Sequence, residues 1–310
     1  MLRLNIKSVL ITGANAGIGK EVARQLAAKP SVETIYLGCR NEEKALAAKR
    51  ELEKRTGKRV FKIILIDVSS VSSVRGAIAN LHEPLDAVIL NAGGTGGKTP
   101  MALTKDGVTH LFAQNVLGHA VLLEGLLREG RLTQAAVFLG SEGARGVSKM
   151  GIKRPSARTL EAFRDVITGK AYEGQKVDIF SAYGAAKYVG ALWMSSLARQ
   201  YPQIRLVAIS PGGTKGTNAA DSMAAPMRIF ATYIFAPFIA PLMGLMHPLE
   251  TGARRIVDGL FDPSLLTGRF YASTERVLTG PLVDQSKIFA NFGDPAIQDT
   301  AATAVREFAA

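Results

Sequence analysis

The chain has 310 residues, of which 47% are hydrophobic and 21% charged, and this balance excludes an intrinsically disordered protein. Its single cysteine, Cys39, excludes a disulfide framework and any metal site that needs several cysteines, so no metal is predicted. The net charge of +12 calls for an anionic partner, which could be nucleic acid, an anionic membrane or a phosphate-bearing ligand.

Short β-branched apolar runs alternate with longer helical patterns along most of the chain. Strands are predicted at Ser8–Thr12, Thr34–Leu37, Val60–Ile66, Ala87–Leu90, Ala135–Leu139, Ile204–Ile209 and Gly268–Tyr271. Helices are predicted near 18–29, 42–56, 70–81, 107–129, 182–200 and 250–261. This alternation predicts an α/β fold over 1–310: a single domain with a doubly wound, Rossmann-type parallel sheet of about seven strands and helices on both faces.

Two long segments interrupt the alternation. Residues 142–180 contain no strand-like run, and residues 215–248 include an uncharged apolar stretch at 229–246. Loops of this length in a compact domain are usually functional. The second segment is interpreted as a lid over a bulky lipophilic ligand, with peripheral membrane contact or a membrane span as the alternatives.

A glycine-rich turn joins the first predicted strand to the first predicted helix. A dinucleotide pyrophosphate needs a tight turn, a close backbone approach and a helix N-terminus, and three glycines in this context supply them. An ordinary glycine-rich turn is the alternative, which the flanking strand and helix disfavour. The predicted contacts are Gly13, Asn15, Ala16, Gly17, Ile18 and Gly19.

The end of the second strand bears on which dinucleotide binds. Arg40 and Asn41 stand where an NAD-binding protein usually has an acidic residue for the ribose 2′-hydroxyl. A guanidinium can pair with a 2′-phosphate, so NADP(H) is preferred, with NAD(H) as the alternative. Residues 1–62 carry a net charge of +8, which supports this prediction; Arg40 as a solvated loop cation is the other interpretation.

Tyr183 and Lys187 lie four residues apart on a predicted helix and therefore on one side of it. An ammonium beside a phenol is expected to lower the phenol pKa, which makes Tyr183 a candidate general acid/base. Ser141 follows the fifth strand at the carboxyl edge of the sheet, where doubly wound folds bind ligands. Small or polar residues also follow the fourth and sixth strands, at Asn91-Ala92-Gly93 and Pro211-Gly212-Gly213-Thr214.

Taken together, these motifs resemble the short-chain dehydrogenase/reductase family over roughly residues 7–275, nearest to retinol dehydrogenases, carbonyl reductases and protochlorophyllide reductases. The resemblance implies that Tyr183 protonates the substrate oxygen, Ser141 polarises the carbonyl, and Lys187 binds the nicotinamide ribose and tunes Tyr183. It implies that Asn115 holds a water in a proton relay. The other implied cofactor contacts are Asp67, Val68, Asn91, Ala92, Gly93, Pro211, Gly212 and either Thr214 or Thr217.

Some of these residues also have structural interpretations. Asn115 could cap or kink its helix, and Ser141 could be a turn serine. Cys39 is interpreted as a buried strand-end residue, and His119 receives no role.

The spacing of 42 positions between Ser141 and Tyr183 is longer than in most of the family. Within it, residues 142–158 carry a net charge of +4, from Arg145, Lys149, Lys153, Arg154, Arg158 and Glu142. A solvated basic loop is the plain interpretation, and steering of an acidic substrate is the sharper one. In carbonyl reductases the enlarged segment covers a dimerisation surface, so a monomer is favoured over a homodimer.

The predicted function is NADPH-dependent reduction of a bulky lipophilic, and in the sharper interpretation acidic, carbonyl compound to an alcohol, or the reverse. Carbon–carbon double-bond reduction of the protochlorophyllide-reductase kind and a non-catalytic NADP sensor or scaffold are the alternatives. No nucleic-acid-binding motif is recognised, so a nucleic-acid partner is not expected. No signal peptide is recognised, and a cytoplasmic location is expected.

Overall fold

The computed structural model describes residues 4–215, 244–275 and 277–309. Over these residues the chain forms one sheet of eight strands in the order β3-β2-β1-β4-β5-β6-β7-β8, parallel except for the last. The strands are β1 Ser8–Thr12, β2 Thr34–Cys39, β3 Phe61–Leu65, β4 Leu85–Leu90, β5 Leu132–Leu139, β6 Arg205–Ile209, β7 Phe270–Ala272 and β8 Val283–Asp284.

Helices cover both faces of this sheet. They are α1 Gly17–Ala27, α2 Glu42–Thr56, α3 Val71–Ala79, α4 His110–Phe112, α5 Gly118–Arg128, α6 Leu160–Thr168, α7 Ile179–Gln200, α8 Leu249–Phe261 and α9 Pro295–Glu307. Successive residues of β1 point to opposite sides, so that Leu10 joins one hydrophobic core and Val9 and Ile11 join the other. The predicted doubly wound α/β fold is confirmed.

The helix boundaries follow from their capping residues. The Asn41 side chain accepts a hydrogen bond from the backbone N–H of Lys44 at the start of α2. Gly57 ends that helix in the left-handed conformation, with φ of +68°. Asp294 accepts bonds from two backbone N–H groups at the start of α9, where Pro295 occupies the first turn.

The structure differs from the sequence-based prediction at four places. Helix α6 lies inside the enlarged segment 142–180, and α9 follows the last predicted element. The antiparallel strand β8 is two residues long, too short to leave an alternating pattern in the sequence. The helix predicted at 107–129 is interrupted by a π-helical turn at Ala113–Leu117.

The apolar stretch 229–246 lies mostly outside the described residues, so the lid interpretation stays a prediction. Among the helices of the described ranges, none combines the length and apolar character that crossing a bilayer requires.

Candidate active site

The glycine turn lies between β1 and α1 and leaves no room for side chains. Gly13 and Gly17 have φ of +68° and +52°, a conformation that favours glycine. A Cβ on Gly19 would lie 2.5 Å from the Gly13 carbonyl oxygen and 2.5 Å from Asn91 Nδ2. The first turn of α1 receives no side-chain cap from Ala16. Its N–H groups are therefore available to an anion such as a pyrophosphate.

Asn91 holds this turn in place. Its Nδ2 donates to the Thr12 carbonyl at 2.7 Å and to the Gly13 carbonyl at 3.3 Å. The backbone N–H groups of Asn91 and Ala92 both donate to Thr12 Oγ1. These bonds fasten the end of β4 to the end of β1, so the predicted contact Asn91 positions the glycine turn through its side chain.

The ends of β2 and β3 lie beside the turn. Arg40 is exposed immediately after β2, whereas the Asn41 side chain caps α2. The Asp67 carboxylate accepts hydrogen bonds from the backbone N–H and hydroxyl of Ser69. Cys39 is buried, which raises the pKa of its thiol to about 11, in keeping with its interpretation as a structural strand-end residue.

Three groups of the predicted catalytic set meet at the carboxyl end of β5. The Ser141 hydroxyl lies close enough to the Tyr183 phenol to lower its pKa. Lys187 is 2% exposed, and its Nζ donates to the Leu139 carbonyl at 2.8 Å and lies 5.7 Å from the centroid of the Tyr183 ring. Ser141 and Tyr183 are 42 positions apart in the sequence but lie close together in space, because α7 packs beside the end of β5.

The pKa values of this set differ from the sequence-based expectation. Burial raises the pKa of the Tyr183 phenol to about 12; the Ser141 hydroxyl acts in the opposite direction, and the Glu142 carboxylate adds to the rise. Burial also lowers the pKa of the Lys187 amine to about 7. The expected lowering of the Tyr183 pKa by Lys187 is therefore wrong in direction, since desolvation dominates and Lys187 donates to a backbone carbonyl.

The buried amine predicts a pH dependence of stability. Between pH 7 and the ordinary lysine value of 10.5, the unfolded chain holds a proton on Lys187 that the folded protein does not. The contribution of this residue to stability therefore rises with pH across that window. We expect the free energy of unfolding of the wild type, relative to Lys187→Met, to rise by up to about 1 kcal/mol per pH unit.

Denaturant unfolding at several pH values between 7 and 10 measures this difference. Lys7→Met is the matched control, because Lys7 forms an exposed ion pair with Glu33. Its unfolding free energy should run parallel to that of the wild type. Parallel curves for Lys187→Met as well would contradict the prediction.

Asn115 occupies the π-helical turn between α4 and α5. Asn115 Nδ2 donates to the Leu111 carbonyl at 2.8 Å. The same nitrogen donates to the Gly94 carbonyl at 2.7 Å, and Oδ1 accepts from Gly94 N–H at 3.2 Å. Asn115 therefore braces the loop after β4, where a Cβ on Gly93 would lie 2.5 Å from its Oδ1 and 3.5 Å from Lys187 Nζ.

The loop after β6 reaches the same edge of the sheet. Gly212 has φ of +78°, and a Cβ on Gly213 would lie 1.6 Å from the Leu245 carbonyl oxygen. Thr214 is buried, and its hydroxyl donates to the carbonyls of Pro211 and Gly212. Thr217 lies outside the described residues.

The basic segment 142–158 is only partly a solvated loop. Arg145 is 1% exposed and donates to the carbonyls of Ser273 and Thr274, so its interpretation as a steering cation is wrong. Arg154 pairs with Glu275 at 3.1 Å. Lys153 and Arg154 line a cavity of about 410 Å³ on the opposite side of α7 from Tyr183.

The residues of this edge fit a dinucleotide. The glycine turn admits the backbone approach of a pyrophosphate, and a Cβ on Gly93 would enter the space beside Asn115 and Lys187. A doubly wound sheet with a glycine turn at β1 and a tyrosine, a lysine and a serine at the end of β5 therefore forms a candidate active site beside a candidate dinucleotide site. Glu142, which follows Ser141 directly, is buried here and was not predicted from the sequence.

Comparisons with known proteins find similarity to dehydrogenases and reductases. A family model described as short chain dehydrogenase matches residues 7–146. Retinol dehydrogenase 12 of Bos taurus is 27% identical over 288 residues, which cover 91% of this chain and 82% of that protein. The structure of L-sorbose reductase from Gluconobacter frateurii, complexed with NADPH and L-sorbose, has a TM-score of 0.64 at 18% identity, covering 90% of this chain and 100% of that one.

These matches make the chain similar to members of the short-chain dehydrogenase/reductase family. Sequence identity is higher where the aligned stretch is shorter. A short chain dehydrogenase of Aspergillus nomiae is 36% identical over 147 residues, which cover 46% of this chain and 39% of that relative's length.

Proposed function

We propose that the protein is an NADPH-dependent oxidoreductase that reduces the carbonyl of a lipophilic ketone or aldehyde to an alcohol, or catalyses the reverse reaction. The observation that carries the proposal is the convergence of the Ser141 hydroxyl and the buried Lys187 amine on the Tyr183 side chain. These groups share one sheet edge with the glycine turn. Retinol dehydrogenase 12 and L-sorbose reductase, named above, support the alcohol and carbonyl chemistry.

A bound nicotinamide would supply the hydride for carbonyl reduction. The Ser141 hydroxyl is placed to hydrogen-bond to the carbonyl oxygen and to polarise the double bond. The Tyr183 phenol, with its pKa raised to about 12, keeps its proton at neutral pH and donates it to that oxygen as negative charge develops. Burial lowers the pKa of the Lys187 amine to about 7, so that the amine can take up or release a proton near neutral pH.

The substrate class rests on the apolar stretch 229–246, which the family resemblance predicts to be a lid. The partial burial of the basic segment weakens the idea of an acidic substrate, because Arg145 and Arg154 already have partners. We therefore favour an uncharged lipophilic carbonyl compound.

Turnover assays with purified protein test the proposal. NADPH and NADH are each offered with bulky ketones, aldehydes and enones, and the absorbance of the reduced nicotinamide is followed. Reduction of ketones or aldehydes supports the proposed function. Consumption of enones with carbonyl compounds left untouched would instead support carbon–carbon double-bond reduction, and no turnover with any of them would overturn the proposal.

The preference for NADP(H) depends on Arg40. Arg40 is exposed after β2 and can reach a 2′-phosphate on the adenosine ribose, whereas an aspartate there would repel it. We expect Arg40→Asp to shift the ratio of affinities for NADPH and NADH toward NADH by about tenfold or more, equal to about 1.4 kcal/mol. Fluorescence titration of each reduced cofactor measures the ratio.

Arg50→Asp is the control for this substitution, because it makes the same charge change on an exposed position of α2. We expect Arg50→Asp to change the affinities for NADPH and NADH by the same factor. If Arg40→Asp leaves the ratio where the wild type has it, Arg40 is a solvated loop cation and does not select the cofactor.

A monomer is part of the proposal. Helix α9 packs along α7, where Ser196 donates to Asp299 at 2.6 Å, and Glu124 joins Trp193 and Arg306 across α5, α7 and α9. These contacts occupy a helical face that would otherwise be free to pair with a second copy. Size-exclusion chromatography with light scattering should give a mass near 33.0 kDa.

A cytoplasmic location, with peripheral membrane contact as the alternative, stays a prediction.

A further inference from the structure

A buried carboxylate lies directly beneath the candidate site. Glu142 is 5% exposed and follows Ser141 in the chain. Its Oε2 accepts a hydrogen bond from the Ser210 hydroxyl, and its Oε1 accepts one of 3.2 Å from the backbone N–H of Ser273. The guanidinium of Arg255, 6% exposed, is 3.9 Å from Oε1. One side chain thus contacts the ends of β6 and β7 and helix α8.

The contacts continue from Glu142 to the predicted cofactor turn. The Ser210 hydroxyl that donates to Glu142 also accepts a bond of 3.1 Å from the Gly212 backbone N–H. Arg255 encloses the other side of that turn, since a Cβ on Gly212 would lie 2.5 Å from Arg255 Nη1. Arg255 also donates to Ser273 Oγ at 3.1 Å and to the Gly280 carbonyl. The Pro211-Gly212 turn is therefore linked to Glu142 through Ser210 on one side and packs against Arg255 on the other.

A second set of contacts fixes the backbone on the other side of Glu142. The Gly143 N–H donates to Ser141 Oγ at 3.1 Å. Gly143 also packs directly on α7, because a Cβ on Gly184 would lie 2.5 Å from the Gly143 carbonyl oxygen. Gly184 is the residue after Tyr183. Glu142 is thus held between the Ser141–Tyr183 pair and the Pro211-Gly212 turn.

A buried ion pair is a poor means of gaining stability, because desolvating two charges offsets most of their attraction. Glu142 and Arg255 do not belong to the glycine turn or to the catalytic set, yet they connect the two halves of the site. We propose that Glu142 and Arg255 are positioning residues that set the Pro211-Gly212 turn against Ser141 and Tyr183, so that the nicotinamide half of the cofactor is bound in register with the catalytic groups.

The inference rests on the proposed function, and it separates the two halves of the dinucleotide. The adenosine half is assigned to the glycine turn and Arg40, which the ion pair does not contact. Glu142→Gln keeps the shape of the side chain but leaves Arg255 without an anion. We expect it to weaken NADP⁺ binding about tenfold while 2′,5′-ADP binding stays within about twofold of the wild type.

Isothermal titration of the full chain with NADP⁺ and with 2′,5′-ADP measures both affinities. NAD⁺ and 5′-AMP replace them if the wild type binds those more tightly. Ser210→Ala is the second variant. It keeps both charged side chains and removes the hydroxyl that links Glu142 to the Gly212 N–H, so it should shift NADP⁺ affinity in the same direction by a smaller factor. Glu124→Gln is the control, because Glu124 also accepts hydrogen bonds from two side chains, Trp193 and Arg306, away from this edge.

Each outcome decides between the alternatives. Loss of NADP⁺ affinity with 2′,5′-ADP affinity kept, in Glu142→Gln and Ser210→Ala but not in Glu124→Gln, supports the inference. Equal loss of both ligands, or unchanged binding of both by folded variants, overturns it and makes the pair a structural one. A wild type that binds neither dinucleotide overturns the proposed function itself, and the inference with it.

Discussion

Replacing Tyr183 with phenylalanine should reduce turnover by about 100-fold to 10,000-fold, the range over which a positioned general acid contributes. The substitution removes one oxygen atom and with it the only proton that the ring can donate. Ser141 and Lys187 remain, so carbonyl polarisation and cofactor binding are expected to persist. Steady-state assays with NADPH and the best ketone or aldehyde from the screen, paired with fluorescence titration of NADPH, measure the two effects separately.

Tyr188→Phe is the matched control for this prediction, because it makes the same chemical change on the same helix. The Tyr188 hydroxyl donates to the Ala157 carbonyl at 3.1 Å and accepts from Asn291 at 2.8 Å, away from Ser141. Its loss should cost about 1 kcal/mol of stability and leave turnover intact. Equal turnover in Tyr183→Phe and the wild type would remove Tyr183 from the mechanism. A wild type that binds NADPH but reduces no substrate would favour the sensor or scaffold alternative.

The fold was predictable because its signals are local and repeated. Each buried strand of a parallel sheet is a short run of apolar residues, and each crossover helix carries its own start and stop, as Asn41 and Gly57 do for α2. The glycine turn was predictable for a related reason. Its φ values at Gly13 and Gly17 demand glycine, so the requirement is visible in the residue type itself.

What could not be predicted depends on contacts between distant residues. The π-helical turn that carries Asn115 has no sequence pattern distinct from an ordinary helix, and it was read as part of one helix at 107–129. Glu142 was counted as a surface anion, since nothing near it in the chain indicates that Ser210, Arg255 and Ser273 surround it. A carboxylate directly beside a predicted catalytic serine is the one signal that could have drawn attention to it.

The direction of the Tyr183 pKa shift shows the same limit. Spacing along α7 correctly places Tyr183 and Lys187 on one side of the helix, but it says nothing about burial. Desolvation acts against charge on both groups and therefore raises the pKa of the phenol while it lowers that of the amine. A neutral phenol at working pH is the form that a proton donor needs, and burial of Tyr183 is consistent with that role.

Gly19→Ala should abolish cofactor binding, with an expected loss of affinity of about 100-fold or more. The substitution places a methyl group 2.5 Å from the Gly13 carbonyl oxygen and 2.5 Å from Asn91 Nδ2. The first of these is backbone, so the glycine turn itself must move, and the bonds from Asn91 to the Thr12 and Gly13 carbonyls are disturbed with it. The N–H groups assigned to the pyrophosphate then no longer point together.

Gly76→Ala provides the control, because Gly76 lies inside α3 and an added Cβ there would meet nothing within 4 Å. Alanine is favoured over glycine in a helix by about 1 kcal/mol, so this variant should be slightly more stable and should bind NADPH as the wild type does. The helix propensity gained at Gly19 is the same, which isolates the effect of the clash. Calorimetric titration of NADPH into both variants, after circular dichroism shows that each is folded, gives the comparison. Wild-type affinity in folded Gly19→Ala would mean that the cofactor does not bind at the glycine turn.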